Sequence, residues 1–379
     1  MGPLQGFKII EIAGIGPGQF AGMLLADMGA SVLRIDRPVN KEKIFAAEAR
    51  FNIMNRSRPL INVDLKTPQG VGLVLDLCRD ADAIFEGFRP GVMERLGLGP
   101  EDCMARNRKL VYGRMTGWGQ QGPLAKTIGH DANFIALSGV FGCIGEKGGD
   151  PVYPLNLVGD MGGGGAYLVI GMLAALLEAG RSGQGQVVDA AMVDGAASQM
   201  TSIWGLRAAG LWKDRRGSNV LDGGAPFYMA YRTSDDQYIA VAPIENRFYR
   251  NLLEVLNLDD IDPDHQHDRS QWDNVRRRLQ EVFATRTRDE WTALLDGTET
   301  CCTPVLSMAE VDSHPHNAAR GTFIRVDGIT QPAPAPRFSR TESAVGSAAG
   351  GAQADVHGVL KAWGVSAGTL AGLSKENQP

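Results

Sequence analysis

From Phe7 to Met115 the chain alternates short β-rich runs with helix-patterned ones, and that alternation restricts the fold more than any other feature. FKIIEI, SVLRID, LINVDL, DAIFEG and LVYGRM read as strands, while QFAGMLLADMG, PQGVGLVLDLCRD and the region around VMERLG read as helices between them. Strand–helix–strand succession predicts a parallel sheet covered on both faces, an α/β architecture. A long helix is expected from about Gly164 to Ala179, then QVVDAAM as a strand or strand-to-helix turn, then a helix through QMTSIWGLRAAGLW.

The turn after the first strand contains Gly16-x-Gly18-x-x-Ala21, with Asp36 further on at the end of the second strand. This is nearly the fingerprint of a dinucleotide-binding βαβ unit. Gly14, Gly16 and Gly18 permit a tight turn, and Pro17 suits a first helical position. Pro17 also removes one of the backbone N–H donors that a phosphate site at a helix start would use. No group downstream singles itself out for hydride transfer, so a nicotinamide cofactor is not expected.

At 379 residues the chain is long enough for two domains. Residues 211–224 are polar and glycine-rich and read as a linker. PFYMAYRT-SDDQ-YIAVAP then reads as a hairpin, and NRFYRNLLEVLNL, DNVRRRLQEVFAT and RDEWTALLDG as helices, the last opened by the capping box Thr287-x-x-Glu290. The expected organisation is a discontinuous large domain, 1–210 and 330–379, and a smaller α+β domain, 225–315, with linkers at 211–224 and 316–329. Residues 330–354 are rich in Pro, Ala and Gly, and DVHGVLKAWGV reads as a closing helix.

The net charge of −5 disfavours nucleic acid or an anionic membrane as the main partner. Five scattered cysteines fit a reducing compartment without a disulfide framework. The pairs His265-x-His267 and His314-x-His316 lie in polar stretches and read as solvated loops, so no metal is expected. The N-terminus lacks the pattern of a signal peptide, and AYLVIGMLAALLEA is shorter than the ~20 residues a bilayer needs. A buried helix and a cytoplasmic location are the expectation.

Three places could carry chemistry. His130, in GHDANF, is either a hydrogen-bonded structural histidine or a general base with an ordinary value near ~6.5. Asp160 precedes the four glycines Gly162 to Gly165; it reads as a helix N-cap or as a group beside a ligand lying on glycine backbone, with N–H donors for a developing oxyanion. Glu245, in APIENRFY, is either an exposed residue at a helix start or a supporting carboxylate. Arg37, Arg56, Arg58, Lys66, Arg89 and Arg95 cluster near predicted strand ends, where open parallel sheets bind ligands. Each alone is a solvated charge; together they would hold several phosphates.

Taken in order, IEIAGIGPGQFAGMLLADMGA, RIDRP, VDLK, RPGVMERLGLGP, MTGWGQQGP, GHDANF, PLNLVGDMGGGG, GQVVDAAMVDG, NVLDGGAPFYMAY, VAPIENRFY, CCTPV and PAPRFSRT resemble the α-methylacyl-CoA racemases of the family III CoA-transferase superfamily. The resemblance implies a Rossmann-like large domain plus a smaller α+β domain, and two chains interlocked as a homodimer. It implies that the glycine turn is scaffold for coenzyme A, which belongs to the acyl-CoA substrate and is no separate cofactor. Carried over by position, the proton-transfer residues are His130 and Asp160, with Asp131 beside the former and Glu245 supporting. The coenzyme A contacts fall on Arg37, on Val63, Asp64, Leu65 and Lys66, on Gly87, Phe88 and Arg89, on Arg95, and on Gly129, Ala132, Asn133 and Phe134. Pro243 stands where racemases usually have glycine, and Asn246-Arg247 where they often have Pro-Gln.

The implied reaction, in lipid metabolism, inverts the carbon α to a 2-methylacyl-CoA thioester by two-base proton transfer through an enolate. The alternative keeps the fold and makes Asp160 the nucleophile of a CoA-transferase; His130 argues against it, since transferases of the superfamily generally lack histidine there. A non-catalytic acyl-CoA binder is disfavoured by the presence of all three acid–base groups.

Overall fold

The computed structural model describes residues 2–38, 48–349 and 356–365. Two compact units divide the chain: one takes residues 1–138, 155–199 and 318–379, the other 139–154 and 200–317.

The first unit is built on a six-stranded sheet of β1 (Lys8–Ile12), β2 (Ser31–Asp36), β3 (Leu60–Asn62), β4 (Ala83–Glu86), β5 (Val111–Thr116) and β6 (Val187–Ala191). Its order is β3-β2-β1-β4-β5-β6, with every pairing parallel. Strand order therefore reverses between β1 and β4, and a crevice at the carboxyl ends of those strands is where such sheets take ligands. Successive side chains of a strand face opposite sides. Ile10, Leu33, Ile84 and Tyr112 enter one core with α2 (Pro68–Cys78), while Ile9, Val32, Phe85 and Met115 enter another with α1 (Pro17–Asp27) and the helix Tyr167–Ser182. Each such aliphatic side chain, fully buried, stabilises by about 1.5–3 kcal/mol. α2 starts where the sequence dictates: Pro68 opens it, and the Thr67 hydroxyl accepts the Gly70 N–H at 3.1 Å.

Two of the basic residues grouped as ligand cations serve the fold instead. Arg58, 7% exposed, pairs with Glu11, which also binds Arg34 at 2.5 Å. Arg56, 2% exposed, pairs with Asp27 at 2.6 Å and donates to Gln331 Oε1 at 2.8 Å and to the Pro332 carbonyl at 2.9 Å. Charges this deep must be paired, and both guanidiniums are committed to carboxylates inside the unit.

The helix expected from about Gly164 starts earlier, as a π-helical segment Leu157–Ala166 that continues into Tyr167–Ser182. The whole run has the length and hydropathy of a membrane span. Leu168, Val169, Met172 and Ala175 nonetheless pack into the sheet's core, as expected of a buried helix. Its other face differs from that expectation: Ile170 and Leu177 are 61% and 72% exposed, because nothing among the described residues covers them.

The second unit holds an antiparallel sheet of β7 (Met229–Arg232), β8 (Tyr238–Val241) and β9 (Cys302–Pro304), with helices Asn246–Val255, Trp272–Phe283 and Arg288–Leu295. The capping box closes as read: the Thr287 N–H donates to Glu290 at 2.8 Å, and the Glu290 N–H to the Thr287 hydroxyl at 3.3 Å. Tyr231 stacks on Phe283 at 5.2 Å between ring centroids in its core. Residues 211–224, read as a linker, are ordered within this unit. Arg216 donates to the carbonyls of Gly142 at 3.0 Å and Gly149 at 2.9 Å, tying that stretch to 139–154. Over 316–329 the chain forms part of the helix Pro315–Arg320 and of the antiparallel strands Phe323–Val326 and Ile329–Pro332.

Candidate active site

Asp160 lies in the π-helical segment, and its glycines explain how that segment is seated. A Cβ on Gly163 would meet the Ala196 backbone N at 2.7 Å, one on Gly164 the Pro17 Cβ at 3.0 Å, and one on Gly165 the Pro17 carbonyl at 2.7 Å. The run is thus in close contact with the start of α1 and with the helix Met192–Gln199. A π-helix bonds each N–H to the carbonyl five residues back, as Met161 does to Asn156 at 3.2 Å. The glycine run was expected to offer N–H groups to an oxyanion. Instead its N–H groups lie within the helix and three of its four residues are buried, so close packing is what calls for glycine.

The Asp160 carboxylate is held from two sides. Its Oδ2 accepts the Asn156 amide N–H at 3.0 Å. Behind it stands the glycine turn: Gly16 has φ of 65°, and a Cβ there would come within 2.8 Å of Asp160 Oδ2. Burial raises the Asp160 pKa above the ordinary carboxylate value, and Asp131 adds to the rise; the Asn156 hydrogen bond and the charge of His130 oppose it. A helix start alone would have lowered it, so desolvation outweighs that effect here.

Asp131 joins two elements. It opens the helix Asp131–Leu137, and its Oδ1 accepts the Asp160 N–H at 2.7 Å, with the Gly159 N–H as a further partner. Burial raises its pKa, while these two backbone donors act in the other direction. His130 caps the same helix in extended backbone: its N–H donates to Asn133 Oδ1 at 3.0 Å and its carbonyl accepts the Asn133 N–H at 2.8 Å. Its side chain is exposed. Phe134 is buried edge-on against Trp118, 4.8 Å between centroids, and fixes the helix under His130.

The first unit thus brings together His130, Asp131, Asp160 and the glycine turn. Glu245 belongs to the second unit, where it precedes the helix Asn246–Val255, its side chain exposed and its carbonyl accepting the Phe248 and Tyr249 N–H groups. The neighbouring Pro243 and Ile244 carbonyls both accept from Gln266, at 2.9 and 3.0 Å, which pins the turn that departs from the racemase pattern.

The positions expected to meet coenzyme A sit mostly on one edge of the sheet. Arg37 follows β2, Val63, Asp64, Leu65 and Lys66 follow β3, and Gly87, Phe88 and Arg89 follow β4, with Arg95 in the short helix Val92–Arg95. The side chains of Arg37, Lys66, Arg89 and Arg95 are exposed there, and Val63 is buried. Gly129, Ala132 and Asn133 flank His130, and the buried Phe134 side chain is scaffold. Asn156 escaped the sequence reading, although an amide one turn before an acid is a signal. Among the described residues no group of three or more His, Cys, Asp or Glu side chains is placed to hold a metal.

The sequence model for CoA-transferase family III matches residues 4–352. The chain belongs to that family. Within it, the chain is 44% identical over 340 residues to the alpha-methylacyl-CoA racemase of Mus musculus, covering 89% of this chain and 87% of that one. It is 41% identical over 339 residues to the racemase of Homo sapiens, with the same coverage. A crystal structure of a CAIB/BAIF family protein from Brucella suis superposes with a TM-score of 0.80 at 25% identity, over 96% of this chain and 99% of that one.

Proposed function

We propose that this family III member racemises 2-methylacyl-CoA thioesters at the α-carbon, with His130 and Asp160 as the two bases. The observation that carries the reading is the single carboxylate, Asp131, bonded to the Asp160 backbone at 2.7 Å while adjoining His130 in the chain. It fixes the two groups on elements that cannot move independently. The high identity to two racemases supports the same substrate class.

A thioester acidifies its α C–H because the electron pair left behind moves onto the carbonyl oxygen as an enolate. One base takes the proton on one face, and the conjugate acid of the other returns a proton to the opposite face. Bound enantiomers exchange the two roles. Burial raises the Asp160 pKa from its ordinary value, so it is a stronger base when ionised and is more readily protonated. With the glycine run's N–H groups held inside the helix, the Asp131 and Ala132 N–H groups at the start of the helix are the donors proposed for the enolate oxygen; such a donor contributes about 2.7–4 kcal/mol. Arg37, Lys66, Arg89 and Arg95 meet the phosphates of coenzyme A. The proton transfers call for no resident cofactor. A homodimer is part of this reading, supported by the uncovered Ile170 and Leu177 and by Leu137, 63% exposed.

The test is to incubate the protein with one enantiomer of a 2-methylacyl-CoA in D2O and follow chirality and α-deuterium. Inversion with deuterium uptake is expected, and its loss in both His130→Ala and Asp160→Ala with the fold intact. Transfer of coenzyme A to an added carboxylate without inversion would establish the transferase instead. Full inversion in either variant would overturn the two-base assignment.

A further inference from the structure

We propose that Glu86 is a positioning residue for coenzyme A, holding the Gly87–Arg89 loop in its binding shape through a clamp centred on Arg114. This rests on the reading that the loop meets coenzyme A. Glu86 ends β4 at the strand-order reversal and is 1% exposed. Its Oε2 accepts the Phe88 N–H at 2.6 Å, which turns the chain sharply out of the sheet. In register beside it on β5 is Arg114, whose Nε lies 3.3 Å from Glu86 Oε1. The same guanidinium donates through Nη1 to Glu94 at 2.8 Å, in the helix Val92–Arg95 that follows the loop.

The loop therefore leaves the sheet at one carboxylate and ends at another, with one buried cation between them. The segment so closed carries Gly87, Phe88 and Arg89 and leads into Arg95. Tyr112, also on β5, is the other titratable group whose ionisation is coupled to Glu86, and it is occupied with the Leu98 carbonyl at 2.9 Å. Burial raises Glu86 to about 7, against the pull of the Phe88 N–H and of Arg114. A carboxylate kept so deep at this cost has a local task, and its side chain is engaged by the Phe88 N–H and by Arg114.

The test measures binding of free coenzyme A by calorimetry, and KM and kcat for racemisation, on the full chain. Glu86→Ala is expected to weaken coenzyme A about tenfold, roughly the loss of one charge-assisted hydrogen bond, with the effect in KM and little in kcat. Glu86→Gln, which keeps an acceptor for Phe88, is expected to recover most of the loss. Wild-type affinity in Glu86→Ala, or a Glu86→Gln variant as impaired as Glu86→Ala, overturns the proposal. Should Glu86→Ala fail to fold, Glu94→Gln, at the exposed end of the clamp, decides: about threefold weaker binding supports the proposal, and unchanged binding overturns it. Arg89→Ala tests the underlying reading separately, since wild-type affinity there would mean that the loop does not meet coenzyme A at all.

Discussion

Replacing Asp131 by asparagine and by alanine separates a carboxylate that holds from one that exchanges protons. Its Oδ1 accepts the N–H of Asp160 at 2.7 Å and that of Gly159. A hydrogen bond to a charged group contributes ~1.5–3 kcal/mol and a neutral one ~0.5–1.5. Asp131 is only half-buried, so the low ends apply. Asp131→Asn retains an oxygen acceptor and should cost about 1–2 kcal/mol, whereas Asp131→Ala leaves both N–H groups without their partner and should cost about 3 kcal/mol. At roughly 2–4 °C per kcal/mol for a unit of this size, calorimetry should show Asp131→Ala melting close to 10 °C lower. Turnover should follow the same order: Asn within about tenfold of wild type, and Ala down about 100-fold as Asp160 loses its seat. The asparagine variant also removes a negative charge that raises the Asp160 pKa, so the acid limb of its pH–rate profile should move to lower pH. An Asp131→Asn enzyme as inactive as Asp160→Ala would refute the holding role and make Asp131 a participant in proton transfer.

Asn156→Ala should shift the same limb the other way, to higher pH, because it removes the hydrogen bond that favours ionised Asp160; a pH–rate series on one enantiomer reads it. Gly16→Ala forces a side chain into a left-handed φ and against Asp160 Oδ2, and should lower kcat by about 10–100-fold with a far smaller change in KM. Glu86 gives a stability prediction. Its pKa is raised from 4.5 to about 7, so the folded chain keeps a proton that the unfolded chain loses between those values. The corresponding stability is full below pH ~4.5 and is lost as pH rises through ~7, by at most ~3 kcal/mol. Urea titrations should show that slope in the wild type and its absence in Glu86→Gln.

Five of the six strands of the first unit are legible because short apolar runs alternating with helical ones leave little choice of layer, the sixth is left between strand and strand-to-helix turn, and the glycine turn and the capping box announce themselves in adjacent residues. What escaped the sequence reading depends on partners far along the chain. Arg56 and Arg58 looked like surface cations because their acceptors, Asp27 and Glu11, lie 29 and 47 positions away. The glycines after Asp160 looked like a ligand cradle, since nothing local reveals that Pro17 and Ala196 press against them. Residues 139–154 join the second unit through carbonyls that Arg216 reaches across 74 and 67 positions. At the site, His130 and Asp160 stood out by residue type and flanking glycines, while the bond through Asp131 that links them exists only in three dimensions.

The Arg56 cluster sets an order on biosynthesis. That guanidinium is neutralised by Asp27 early in the chain, yet its remaining donors are satisfied by Gln331 and Pro332, 275 and 276 residues further on. While a ribosome is still making the second unit, the nascent first unit therefore carries a half-solvated cation at what becomes its interior. Its closure therefore waits for a strand made long after the sheet it sits beside, and a chain of this size folds through such partly paired states.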